Sequence, residues 1–111
     1  MKNSFKGLIN AKITSFQKIH DYWQLSSDKA MINIYNPIEF YNSKGVLLII
    51  DKVNLEEIIN NSIDNVVFEC FNFINLELDN SSVIKISLME DDYVGPEAIS
   101  IHYKSGKIVI I

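Results

Sequence analysis

The residues of this chain that could do chemistry are few: two histidines, one cysteine and fourteen acids against ten lysines. Three of the acids stand together as Glu90-Asp91-Asp92 and two as Glu56-Glu57. Paired carboxylates can divide acid and base roles only when they converge, and sequence neighbours on a strand or loop point apart. His20 and His102 lack the HxxxE, HxH or Cys-His spacing of a metal ligand set. Cys70 stands alone, which rules out an internal disulfide or a multi-cysteine metal site and suits a small buried hydrophobe. The glycines at 7, 45, 95 and 106 form neither GxGxxG nor a P-loop, and the serines fall mostly in turns without a nucleophile signature. The expectation is a protein that is not an enzyme, with no catalytic residue, cofactor or metal.

Charge narrows the partners. All ten cationic side chains are lysine, and without arginine's planar fork a reader of base edges is disfavoured. From Met1 to Ala30 five lysines face two acids, a balance of +3. From Met31 onward five lysines face twelve acids, a balance of −7, which brings the chain to −4. A charged partner of the second part would be cationic. No apolar run approaches the roughly 18 residues of a membrane span, and the N-terminus lacks a signal peptide's solid apolar block. The cytoplasm is the expected compartment.

The segment Glu90-Asp91-Asp92-Tyr93-Val94-Gly95-Pro96-Glu97 joins two runs that alternate apolar and polar residues, as a loop displayed between two strands does. Its acids repel one another and stay solvated, while Tyr93 and Val94 set apolar surface beside them. Gly95-Pro96 stiffens the backbone, which reduces the entropy lost when a partner holds it. Glu90, Asp91, Asp92, Tyr93 and Glu97 are the candidate contacts, with the acids at 39, 56, 57, 69, 77 or 79 as alternatives.

Other elements must position that loop. At 100° per residue Phe5, Leu8, Ile9, Ile13, Phe16, Ile19 and Trp23 fall on one stripe, predicting an amphipathic helix over about residues 4–24, with Lys12 snorkelling from within the stripe. After Ser26-Ser27-Asp28 the period changes to two. Ile32 and Ile34 alternate with polar residues, and Pro37 interrupts before Ile38 to Tyr41. Val46 to Ile50 is a solid apolar run, as in a central strand covered on both faces. Asn54 to Asn61 reads as a short helix or turn, and Ile63 to Cys70 as a strand. Strands follow around Ile74 to Leu78 and Ile84 to Leu88, with a turn or bulge near Asn72. Ile99 to Tyr103 and Ile108 to Ile111 complete the series. The expected fold is one α+β domain over residues 1–111, with the N-terminal helix packed on a mainly antiparallel, meandering sheet. That sheet would have about six or seven strands, running from about residue 31 to 111.

The string ISLMEDDYVGPEAI, Ile86 to Ile99, resembles small bacterial immunity proteins encoded beside contact-dependent or polymorphic toxins. In those proteins a strand leads through an acidic aromatic turn into Gly-Pro-Glu-Ala and a further strand. The resemblance covers only the last part of the chain and says nothing of the stretch from Phe5 to Trp23. It implies a cytoplasmic antitoxin that binds one cognate protein toxin, a basic protein such as a nuclease, and occludes its active site or substrate path. No direct contact with nucleic acid or membrane is implied. The alternative is a small-ligand-binding or structural module with a pocket lined by Phe68, Phe71, Phe73 and Trp23.

Overall fold

The computed structural model describes residues 2–111 and is built from strands, with only short 3-10 turns between them. Ten strands follow in chain order: β1 (Ile13–Ile19), β2 (Tyr22–Ser27), β3 (Ala30–Ile34), β4 (Ile38–Tyr41) and β5 (Leu47–Leu48), then β6 (Ile63–Glu69), β7 (Phe73–Leu78), β8 (Val83–Ser87), β9 (Ile99–Tyr103) and β10 (Ile108–Ile110). They form two antiparallel five-stranded sheets, ordered β1-β2-β3-β9-β10 and β5-β4-β8-β7-β6. Both contribute to one buried cluster, Phe16, Leu25, Ile32 and Ile101 from the first and Phe40, Ile74, Leu76 and Ile84 from the second. Each such side chain removed from water contributes roughly 1.5–3 kcal/mol.

The expected α+β fold with its N-terminal helix is therefore corrected to an all-β fold. A 3-10 segment, Lys2–Leu8, opens the chain and buries Phe5 and Leu8, and residues 13–27 are a hairpin. The helical spacing had a different cause. A register shift between Ile13 and Ser15 puts two residues between the inward-facing Ile13 and Phe16, and so imitates a period of three to four. Beyond it Phe16 pairs with Leu25 and Lys18 with Trp23 in ordinary alternation, and the Phe16 and Trp23 rings stack at 4.7 Å. Thr, Phe, Ile, Tyr and Trp crowd this stretch, β-branched and aromatic residues that fit a pleated surface better than a helix. Lys12 is exposed and forms an antiparallel bridge with Ser62, which ties the β1 side of one sheet to the β6 side of the other.

Two further expectations change. The apolar run Val46 to Ile50 holds only the two-residue edge strand β5, with Val46, Leu47 and Ile49 exposed, so it is no central strand. Cys70 is exposed in the β6–β7 turn, not buried. Asn54 to Asn61 contains the 3-10 turn Leu55–Glu57, whose first free N–H groups Asn54 caps by accepting from Glu56 N at 3.1 Å.

The chain crosses between the sheets at two adjacent places. Tyr35-Asn36-Pro37 carries β3 into β4, and Leu88 to Ala98 carries β8 back to β9. The two crossings are hydrogen-bonded together. The N–H groups of Tyr35 and Asn36 donate to Ala98 O at 2.8 and 3.3 Å, and Ser87 N donates to Pro37 O at 3.1 Å. Both ends of the acidic loop are thus held by paired backbone.

Candidate functional site: the acidic crossing loop and its two flanks

The loop begins with a 3-10 turn, Glu90–Asp92, closed by Asp92 N donating to Met89 O at 2.9 Å and Tyr93 N to Glu90 O at 3.3 Å. Its acids have different surroundings. Glu90 and Asp91 are exposed, but Asp92 is half-buried and its Oδ2 accepts from Ser87 Oγ at 2.5 Å. Ser87 Oγ in turn accepts from Met89 N at 3.2 Å, so Asp92 ties the turn to the end of β8. Tyr93 packs partly against the core, leaving Val94, 81% exposed, as the apolar tip. Glu97 is half-buried on the far side of the loop.

On one flank the loop faces the β1–β2 turn across a cleft of about 380 Å³, walled by Asp21, Tyr22, Tyr35 and the segment Val94-Gly95-Pro96-Glu97. The turn that brings Asp21 and Tyr22 here holds His20 at φ 56, a left-handed conformation that glycine ordinarily supplies. The Tyr22 and Tyr35 rings lie 5.3 Å apart at 44°. A second open hollow of about 370 Å³ adjoins it, sharing Asp21, Tyr35 and Val94 and lined also by Trp23, Asn36, Asp51 and Asp92. Lys18 reaches into this hollow, 3.8 Å from Asp51, an exposed pair worth little energetically. Asn36 is 3% exposed, and its Nδ2 donates to Ser87 O at 2.9 Å. Its Oδ1 has no hydrogen-bond partner among the described residues.

On the other flank Phe71, Leu88, Met89, Glu90 and Tyr93 line an open depression. Phe71 is 85% exposed and sits in the β6–β7 turn at φ 63. Asn72 N donates to Glu69 O at 3.0 Å, which puts Phe71 at the third turn position, where glycine or asparagine is the usual choice.

A polar ladder crosses the first sheet beside the cleft. Gln24 Nε2 donates to Asn33 Oδ1 at 3.1 Å, and Asn33 Nδ2 to Ser100 Oγ at 3.4 Å. The Tyr35 hydroxyl and His102 Nε2 also approach Ser100 Oγ, at 3.4 and 3.3 Å. Ser100 is 3% exposed, and no carboxylate hydrogen-bonds His102 among the described residues, so this serine–histidine contact lacks the orienting third group of a nucleophilic site. Nor, among the described residues, do three His, Cys, Asp or Glu side chains gather as metal ligands would. Among the described residues no helix is long and apolar enough to cross a membrane.

Glu90, Asp91, Asp92, Tyr93 and Glu97 thus share one loop but divide between two flanks. Asp21, Tyr22 and Tyr35, which the sequence reading did not single out, complete the cleft. The aromatic pocket expected from Phe68, Phe71, Phe73 and Trp23 is dispersed: Phe68 packs on Phe5 at 5.5 Å, Trp23 on Phe16, Lys85 reaches over Phe73 at 4.9 Å, and Phe71 faces outward. Comparison with protein-family models, curated proteins and solved structures finds no match to the chain.

Proposed function

We propose that this protein is a non-enzymatic binding protein that works by holding a cationic protein partner against the acidic crossing loop. The partner class proposed is the cognate toxin of an immunity pair, a cytoplasmic enzyme such as a nuclease, occluded at its active site or substrate path. The observation that carries the reading is the display of the Glu90 and Asp91 carboxylates and the Val94 side chain on a loop held at both ends by backbone hydrogen bonds. Such a loop loses little conformational entropy when a partner docks. Its charge favours encounter with a basic surface, and the attraction weakens as salt screens it. Nucleases are commonly cationic where they grip phosphates, so an acidic surface competes for that groove.

The test is co-expression with the toxic domain encoded next to this gene. The wild-type chain should restore growth and form a stoichiometric complex, and Glu90→Gln with Asp91→Asn should weaken the complex and flatten its salt dependence. Absence of rescue and of a complex rejects the immunity reading. A complex whose affinity and salt slope ignore both substitutions rejects the loop as its interface.

A further inference from the structure

We propose that two copies of this chain associate edge to edge through β10, pairing antiparallel about Val109 so that their first sheets join into one continuous sheet. The backbone of β10 makes it receptive. Ile111 N donates to Ile99 O at 3.0 Å and Tyr103 N to Lys107 O at 2.9 Å, so residues 107, 109 and 111 turn their peptide groups toward β9. The N–H and C=O groups of Ile108 and Ile110 therefore point out of the sheet, at its free edge. With Val109 opposite its own copy, Ile108 of one chain lies across from Ile110 of the other. That register exchanges both hydrogen bonds in each pair and leaves none of these groups over.

The other three edges are defended and this one is not. β1 and β6 each carry a register shift and charged side chains, Lys18 on one and Asp64 and Glu69 on the other. The Lys12–Ser62 bridge also ties their ends together. β5 has only two residues, and the 3-10 turn Ile50–Lys52 follows it. Bulges, charges and shortness are the devices by which edges avoid pairing. β10 is short as well, but it keeps an unbroken register with β9 and holds no charge. Its Ile108 and Ile110 side chains are 57% and 55% exposed on one face, and pairing would gather those of both copies into a cross-strand cluster.

Charge favours a second copy as the occupant. The β9–β10 turn holds Lys104 and Lys107, both exposed. Antiparallel pairing sets Lys107 across from Ile111 of the second copy, and Ile111 O accepts from Ala98 N at 2.6 Å, next to Glu97 and the acidic loop. The basic turn of each copy thus meets the acidic end of the other, twice by symmetry. A contact of this size lies at the low end of specific interfaces, so the dimer is reversible and of roughly micromolar affinity.

The inference is independent of the immunity reading, and its test needs no toxin. Sedimentation equilibrium of the full chain from micromolar to submillimolar concentration should show the mass rising from 12.7 kDa toward twice that value. Over the same range amide exchange at Ile108 and Ile110 should slow, while that at Leu47 and Leu48 should not. Ile110→Pro removes an N–H that β9 does not use, and Ile108→Lys with Ile110→Lys sets like charges across the joint. Each should weaken association by about tenfold or more at an unchanged monomer melting temperature, and if the proline variant unfolds the lysine pair decides. Lys107→Glu and Glu97→Lys should each weaken self-association, and an equimolar mixture of the two should regain it, because only the mixed pair brings opposite charges together at both ends. A chain that stays monomeric throughout, a dimer indifferent to the strand variants, or a mixture no tighter than its components would overturn the proposal. So would slowed exchange at Ile108 and Ile110 in a toxin complex alone, which would give the edge to a strand of that partner.

Discussion

The ring of Tyr103 packs so closely on Gly7 that a methyl group built on that glycine would lie 2.7 Å from the tyrosine Cε1. The ring cannot easily yield, because its hydroxyl donates to Ser4 O at 2.6 Å. This contact fastens the opening 3-10 segment to β9. Gly7→Ala should therefore destabilise the fold by about 1–3 kcal/mol, the usual cost of overpacking. Gly95→Ala is the control: nothing lies within 4 Å of its added methyl, so denaturant melts should show a neutral or slightly stabilising effect.

Burial pushes the Tyr103 hydroxyl's pKa upward. The folded chain then keeps this proton at a pH where the unfolded chain releases it, so the unfolded state binds fewer protons there and stability falls as pH rises. The contribution is complete below tyrosine's ordinary pKa of about 10 and is lost above it. Thermal melts from neutral to strongly alkaline pH should show this decline, and Tyr103→Phe should make it shallower. The same variant should cost about 1 kcal/mol at neutral pH through the lost bond to Ser4. An unchanged alkaline slope would show that other groups set it.

Phe71 combines a left-handed backbone with an almost fully exposed ring, so the turn carries strain that burial does not offset. Phe71→Asn should raise stability by about 0.5–1 kcal/mol, since asparagine tolerates that conformation and little packing is lost. In a toxin complex the same change should lower affinity if the depression formed with Met89 and Tyr93 is contacted. A chemical-denaturation midpoint that falls would mean the ring supports the fold.

Glu90 and Asp91 are separable from Asp92. Removing the first two charges should leave stability within about 0.5 kcal/mol, as for ordinary surface positions. Asp92→Ala should cost about 1 kcal/mol because it releases Ser87 and the turn that follows β8. Equal melting temperatures for all three variants would contradict the anchoring role given to Asp92.

Strands that obey strict alternation were legible from sequence alone. Ile32 and Ile34, Ile74 to Leu78, Ile84 to Leu88 and Ile99 to Ile101 all turn their expected faces inward. The hairpin of β1 and β2 was not legible, because one bulge at Ile13/Ser15 gave its apolar residues helical spacing and its turn, His20-Asp21, contains no glycine. The run Val46 to Ile50 misled in the opposite sense, since continuous hydrophobicity marks a covered strand only when something covers it. The candidate site shows the same division. Its loop could be named from Glu90 to Glu97, but Tyr22 and Asp21 reach it only through the hairpin, and Tyr35 only through the crossing after β3. The clue in reach was the density of β-branched and aromatic residues from Ile13 to Trp23, at odds with a helix.

Asn33 on β3 meets Ser100 on β9, sixty-seven positions further along the chain. Until β9 has been synthesised, the hairpin of β1 and β2 and the strand after it expose an unmatched edge, while β4, β7 and β8 already have their neighbours. Pairings across so much intervening polypeptide form slowly. Assembly of the molecule should thus finish at the acidic segment, which acquires its working shape only as β9 closes the first sheet.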